Sequence, residues 1–471
     1  MRWATTRSCV YAMVMAAALL FFGSVPDARA VPAFSRQTGQ QCIACHVSFP
    51  ELTPYGRYFK LTGYTIGTRQ TLPFAVMAQA SVTKTQNNTG VVGQDDAGNN
   101  IVGDVNRRDG SVVFSGASLF LAGKATDHLG GFVQWTYNNL ATDPNTGAIK
   151  AHGGIDNTDL RLTGISYGAD AKQPDWVYGL TLHNNPTSQD VWNSTPAFGF
   201  PFTASPLAQT PAARTLIDGG LAQQVAGVGA YAFWHKMIYA EFSLYRTADG
   251  VFSWLRAGQN IDTPQGVNRL SGYNPYWRLA WNYEWGPHSV MAGTYGMVVN
   301  KQPENTMPET PTDRFTDTAF DAQYQYITNP HTFTAQTTYI HERQDWNASY
   351  PNTLNGNPFG LSAAAPTPGN PSTSLDTVKI KGTYYYQRKY GLTLAYLSTT
   401  GSSDTGLYSV TGVPDSRAYV LELDYLPIQN VRLMLQYTYY TIFNGAGDNY
   451  DGNGRNAWDN NTLFFNVWVA L

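Results

Sequence analysis

Tyr419-Val420-Leu421-Glu422-Leu423-Asp424-Tyr425, followed after Pro427-Ile428-Gln429-Asn430 by Val431-Arg432-Leu433-Met434-Leu435-Gln436-Tyr437-Thr438-Tyr439-Tyr440, alternates without a break on both sides of one short turn. Successive side chains of a strand point to opposite faces, so Tyr419, Leu421, Leu423 and Tyr425 share one face, and Val420, Glu422 and Asp424 share the other. In the second strand Val431, Leu433, Leu435, Tyr437 and Tyr439 lie opposite Arg432, Met434, Gln436, Thr438 and Tyr440. The pattern recurs elsewhere. Ile238, Ala240, Phe242 and Leu244 oppose Tyr239, Glu241, Ser243 and Tyr245, and Trp277, Leu279, Trp281 and Tyr283 oppose Arg278, Ala280 and Asn282. One face is apolar and aromatic while the other carries charge.

A soluble sandwich also alternates, so the connections between strands decide the class. Strands are expected at about 73–84, 111–122, 128–138, 156–167, 175–184, 222–233, 236–247, 274–285, 288–300, 315–326, 331–343, 375–387, 390–400, 416–426, 430–442 and 460–471. Short turns near Lys124, Ala171, His235, Gly286, Asn329, Lys389 and Pro427 alternate with long loops rich in Gly, Pro, Asn and Thr, among them 85–110, 185–221, 248–273 and 344–374. Tight periplasmic turns, long outer loops and an even strand number are the signature of an outer-membrane barrel. The expected fold is therefore all-β, a transmembrane barrel of about 16 antiparallel strands over 73–471, in the outer membrane of a Gram-negative bacterium and in contact with its lipid. The last strand sets Leu463, Phe465, Val467, Val469 and Leu471 on one face, ending in Leu471 rather than an aromatic residue.

Composition agrees. The chain has 30 Tyr, 22 Phe, 12 Trp and 44 Gly with only 13% charged residues, and no apolar run after the first 30 residues would cross a bilayer as a helix. Residues 1–30 read as a secretory signal peptide, with Arg2 and Arg7 ahead of an apolar stretch from Ala12 to Phe22 and Ala28-Arg29-Ala30 as the cleavage site. Its removal takes three basic residues and one acidic one from a net charge of −3, leaving −5. That charge argues against a nucleic-acid partner.

Between the signal and the first strand, residues 31–72 carry Cys42-Ile43-Ala44-Cys45-His46. C-x-x-C-H attaches a c-type haem: the two thiols reach the two vinyl groups of one porphyrin, and the neighbouring imidazole binds iron axially. A redox disulfide would need no histidine and usually accompanies a βαβ pattern, and a zinc site would find only three ligands here. Cys9 falls in the signal, so Cys42 and Cys45 have no other thiol to pair with. One haem c is expected, with Cys42 and Cys45 as tethers and His46 as ligand to its iron. A segment of about 42 residues is short for an independent cytochrome fold, which favours a plug inside the barrel over a free periplasmic domain.

Val31-Pro32-Ala33-Phe34-Ser35-Arg36-Gln37-Thr38-Gly39, the haem motif, then Pro50-Glu51-Leu52-Thr53-Pro54-Tyr55-Gly56-Arg57, Phe59-Lys60 and Gly63-Tyr64 resemble the N-terminal signature of fused monohaem cytochrome-porins, the outer-membrane iron(II)-oxidising c-type cytochromes. Members often have Ala where this chain has Ser35. Asn184-Asn185-Pro186-Thr187-Ser188-Gln189-Asp190 and Trp192-Asn193-Ser194-Thr195-Pro196-Ala197-Phe198-Gly199-Phe200-Pro201 resemble the long third loop of that family. The resemblance implies an iron(II) oxidase: a haem inside the barrel takes electrons from extracellular ferrous iron and passes them to a periplasmic electron carrier, a c-type cytochrome or similar protein. Two other classes use the same parts. One is a diffusion or uptake porin with a structural haem; the other is an outward conduit that reduces an extracellular acceptor.

No residue is marked as the sixth iron ligand. Met77 and His183 both point inward by alternation, although a methionine is ordinarily packing and a histidine at a strand end ordinarily solvated. His128, His235, His288 and His331 fall in or beside short turns. Asp95, Asp96, Asp104, Asp109, Asp448 and Asp451 offer oxygen donors on the outer loops, where acidic residues also serve solubility. Lys379, Lys381, Arg278 and Arg432 face the lumen, as partners for haem propionates or simply as its polar lining.

Overall fold

The computed structural model describes residues 32–88, 91–94, 100–102, 108–142, 149–168, 173–256, 267–305, 311–363 and 365–471. The signal peptide, the turn at Ala171, and Asp95, Asp96 and Asp104 lie outside these residues.

Sixteen antiparallel strands close into one barrel. They are β1 (Phe74–Thr85), β2 (Val112–Lys124), β3 (Leu129–Thr142), β4 (Ile149–Tyr167), β5 (Pro174–His183), β6 (Val225–Trp234), β7 (Ile238–Thr247), β8 (Asn274–Trp285), β9 (His288–Lys301), β10 (Asp313–Ile327), β11 (His331–Asp345), β12 (Ser372–Tyr386), β13 (Tyr390–Gly401), β14 (Ser416–Ile428), β15 (Val431–Ile442) and β16 (Thr462–Ala470). Each strand pairs with its chain neighbours, and β16 closes on β1 with Ala470 opposite Met77 and Thr462 opposite Thr85. Closure leaves no strand edge, so every backbone amide crossing the apolar layer has a partner.

The expected strands are all present. The clearest shift is β4, which starts at Ile149 rather than 156. The β3–β4 ladder slips between Val133 and Trp135 and again between Asn138 and Ala141, and a bulge inserts one residue on one side. Each slip flips the alternating pattern, so period-two reading loses the strand there.

The two faces meet different surroundings, as the alternation requires. Tyr419, Leu421, Leu423 and Tyr425 on β14 are 52%, 40%, 46% and 41% exposed on the outside, whereas Val420, Glu422 and Asp424 are buried inside. Trp176 packs against Trp234, and Trp281, Tyr283 and Trp285 stack in a row, building an outward aromatic belt at the short-turn end. Such belts sit at the membrane–water interface. The chain is an outer-membrane β-barrel; among the described residues no helix is long and apolar enough to cross a membrane.

Leu435→Arg tests the register. Leu435 is 39% exposed on the outer face near the middle of β15, while Thr438, three residues on, faces inward between Val420 and Thr462. An arginine at position 435 is expected to cost about 2–4 kcal/mol of stability in the bilayer. Thr438→Arg is expected to fold nearly as wild type. Heat-modifiability on gels and denaturant unfolding in lipid vesicles measure both, and equal losses would contradict the inside–outside assignment.

Candidate haem-binding segment inside the barrel

Three short helices precede β1: α1 (Ala33–Thr38), α2 (Cys42–Cys45) and α3 (Pro54–Leu61). Thr53 caps α3 by accepting from the Gly56 N–H, with Pro54 at its first position, a strong helix start. A tight reversal pairs His46 with Leu52 and Ser48 with Glu51, and so turns the chain from α2 into α3.

This segment lies within the barrel, bonded to inward-facing wall residues on many strands. The Arg57 guanidinium, 3% exposed, donates to Gln323, Gln325, Glu284 and Ser289. Lys381 on β12 pairs with Glu51, both buried. Arg432 on β15 donates to the Phe49 carbonyl at 2.9 Å, and Tyr64 donates to Asp159 at 2.7 Å. A desolvated ion pair is strong only with good geometry and further hydrogen bonds, and these contacts supply both.

The Cys42–His46 motif sits at the short-turn rim. Cys42 N–H donates to Gln429 in the β14–β15 turn at 3.0 Å, and Arg388 in the β12–β13 turn donates to the Ile43 carbonyl. Behind it, Thr53 N–H and hydroxyl bond the Cys45 and Ala44 carbonyls at 2.9 and 2.6 Å. Gly56 brings α3 against α2 so closely that a Cβ there would stand 2.1 Å from the Cys45 oxygen. Gly56→Ala is therefore expected to push the two helices apart at a cost of about 1–3 kcal/mol. If Cys42 and Cys45 carry a haem, its content per protein, read from pyridine haemochrome spectra, should fall with it, and unchanged content would remove this packing argument.

Cys42 and Cys45 are both free thiols, one helical turn apart on the same face. Burial pushes the Cys45 thiol up to about 11, helped by the nearby Cys42 charge, and it raises Cys42 as well. Reactive redox cysteines ordinarily shift the other way, to depressed values. The His46 Nδ1 stands 3.3 Å from the Pro50 carbonyl. Burial lowers the imidazole to about 4, so at neutral pH it carries one proton. With that proton on Nδ1 and donated to Pro50, Nε2 presents its lone pair, the arrangement that orients a metal-bound histidine. Two free thiols and an oriented neutral imidazole are the donor set that a haem c requires.

The third outer loop, following β5, folds into the lumen above this segment. Residues 184–195 are buried, and Trp192 is pinned by its indole N–H to Asn282 at 3.2 Å and by its carbonyl to Gln323 and Gln336. Arg278 bridges the loop's Asp190 and the wall's Asp321 at 3.2 and 2.8 Å. Loop and plug touch directly: Leu52 N–H donates to Asn193, and Lys60 donates to the Ser188 and Asp190 carbonyls. Plug and loop thus enter the lumen from opposite ends and meet inside it.

Met77 and His183 are not brought together with His46 by any contact. His183 is fully buried, but its Nε2 is bonded to the Tyr245 hydroxyl and its ring lies edge-on to Tyr245. Met77 faces inward opposite buried Ser118, at the rim where Phe49 meets both His46 and Trp468. The lumen cations are already paired: Lys379 with Asp218, Lys381 with Glu51, Arg278 with Asp190 and Asp321, Arg432 with Glu422 and Asp424. They hold the interior together rather than awaiting an anion. His128, His235, His288 and His331 stand beside Thr163 O, Asp175, Tyr324 and Tyr384, as turn and girdle residues do. Asp109 bonds Lys84 and Thr85, and Asp451 accepts from the Asn453 and Arg455 amides. No three metal-ligating side chains converge among the described residues.

Neither the family models nor the curated proteins yield a match. Among solved structures, the chain is similar to the outer-membrane channel DcaP of Acinetobacter baumannii, with 13% identity, TM-score 0.42, and 84% of this chain and 96% of that one covered. A complex of Salmonella typhi OmpF with daunomycin aligns at 11% identity and TM-score 0.45 over 84% and 97%. Vibrio cholerae OmpT aligns at 11% and 0.40 over 84% and 97%.

Proposed function

We propose that this barrel carries one covalent haem c in its lumen and moves single electrons across the outer membrane, in the direction of iron(II) oxidation. The observation that carries the reading is the α2–His46 unit: two free thiols one turn apart, with an imidazole oriented by Pro50, inside a segment clamped to the barrel wall. A haem bound there supplies a one-electron couple. The chain's own residues do the rest. Cys42 and Cys45 tether, His46 ligates, Arg57 and Arg432 fix the segment against the wall, and the third loop excludes bulk water from above. An outer membrane insulates, and ferrous iron becomes an insoluble oxide, so an electron-conducting plug leaves the product outside the cell. The choice of ferrous iron and of the inward direction rests on the family resemblance.

Stopped-flow mixing of oxidised protein with ferrous iron at near-neutral pH tests this. The haem bands should turn to the reduced form without any periplasmic protein. A haem that stays oxidised, yet discharges rapidly to an extracellular acceptor once reduced chemically, would reverse the direction.

A second reading is favoured by the porin-type barrel with its inward third loop: a diffusion or uptake porin with a structural haem. Planar-bilayer recordings separate the two. With plug and third loop both inside the lumen, ion conductance should stay near baseline, whereas steady open-channel currents would favour the porin.

A further inference from the structure

We propose that the short-turn rim around the haem motif is a docking surface for an acidic redox protein, which exchanges the electron at the edge tethered by Cys42 and Cys45. The proposal rests on the haem reading and adds the chemical class of the partner.

The chain as a whole is acidic, with a net charge of −3. The rim is not. Among the described residues, the partly exposed side-chain carboxylates at this end are Asp127, Asp175 and Glu284; Asp127 pairs with Lys124 at 2.7 Å and Glu284 with Arg57 at 3.2 Å, while Asp175 faces only the His235 imidazole at 3.5 Å. Several cations there have no acidic partner. Arg69 and Lys389 are exposed, and Lys236 rests over the Tyr58 ring at 5.2 Å. Arg388 is half-buried against the Ile43 carbonyl, inside the haem motif itself. Burial lowers its guanidinium with no carboxylate offsetting it.

Gln387 and Arg388 both have φ of 53°, and His235 and Lys236 in the β6–β7 turn have 48° and 57°, the left-handed conformation of two-residue hairpin turns, so both Arg388 and Lys236 are held on tight turns at this rim. Cys42 and Cys45 are partly exposed at the same place, so a partner reaching the rim meets the tethered edge directly. Unpaired cations beside an electron-exit edge steer a negatively charged partner and fix its orientation, with on-rate effects of about 10–10³-fold.

The experiment uses the holoprotein in neutral detergent micelles, reduced chemically and mixed with acidic plastocyanin or with basic mitochondrial cytochrome c. One electron passes from ferrous haem to copper(II), giving ferric haem and copper(I), with no proton moved. With plastocyanin the bimolecular rate should fall with added salt, and should fall at least tenfold in Arg69→Glu/Lys389→Glu, neither residue of which touches the haem motif. With cytochrome c the same reversal should raise the rate. Rates that ignore both salt and charge reversal, or that change in the same direction with both probes, overturn the docking surface. Arg388→Gln provides a second arm, in which haem content is read first and the plastocyanin rate afterwards. Wild-type protein without a pyridine haemochrome would remove the haem reading and this proposal with it, whereas haem-replete protein with charge-blind rates removes the docking surface alone.

Discussion

Cys42→Ala combined with Cys45→Ala is expected to leave no haem that resists extraction, whereas each single variant should keep its haem through the one remaining thioether. Acid acetone removes haem held by coordination and packing but leaves a thioether intact, so the extracted pellet reports the covalent bond alone. Single variants keep one thioether in principle, and their pyridine haemochrome band should shift because one vinyl group stays unsaturated. The barrel should be untouched, because neither sulfur contributes to the strand ladder and α2 is held by backbone bonds to Thr53 and Gln429. Heat-modifiability on gels checks that separately. If wild-type protein made in a host competent for c-type maturation carries no covalent haem, the electron-transfer reading has no cofactor to stand on.

His46→Ala separates attachment from ligation. Both tethers remain, so covalent haem should persist while its absorption and potential change, since the axial ligand sets both.

The features legible in the sequence are those set by local period or by a compact motif. Tyr419 to Tyr440 reveals two strands because its faces meet lipid on one side and a polar, ion-paired interior on the other, and that contrast survives in any single strand. The Cys42–His46 motif is legible because its two thiols and imidazole fit within five residues. What closure of the barrel brings together is not legible. Lys381 and Glu51 are 330 positions apart and Arg432 and Phe49 383, so no spacing announces them. Alternation correctly sends Lys379, Lys381, Arg278 and Arg432 inward, but it cannot say that Asp218, Glu51, Asp190, Asp321, Glu422 and Asp424 already neutralise them. The third loop is legible by its length; that Trp192 anchors it to Asn282, Gln323 and Gln336 on three different strands depends on the closed wall.

Arg432 is where wall and plug are joined, and its removal carries the second large effect. The guanidinium is 1% exposed and donates to Asp424 at 2.7 and 3.0 Å, to Glu422 at 2.6 Å and to the Phe49 carbonyl at 2.9 Å. Arg432→Ala leaves two buried carboxylates facing each other without a cation, and is expected to destabilise the protein by about 3–5 kcal/mol in denaturant unfolding from detergent micelles. Most of that is the cost of stranded charge rather than the worth of the pair. Arg432→Met combined with Glu422→Gln and Asp424→Asn should therefore recover most of the loss. It should not restore the bond to Phe49, three residues beyond His46. The triple variant is thus expected to unfold near the wild-type midpoint and yet show faster proteolysis within residues 32–72 and a shifted haem potential. Loss of less than about 1 kcal/mol in Arg432→Ala would mean that water already screens these carboxylates. In that case the lumen is hydrated at this level, and the conductance expected of a porin should appear in the same protein.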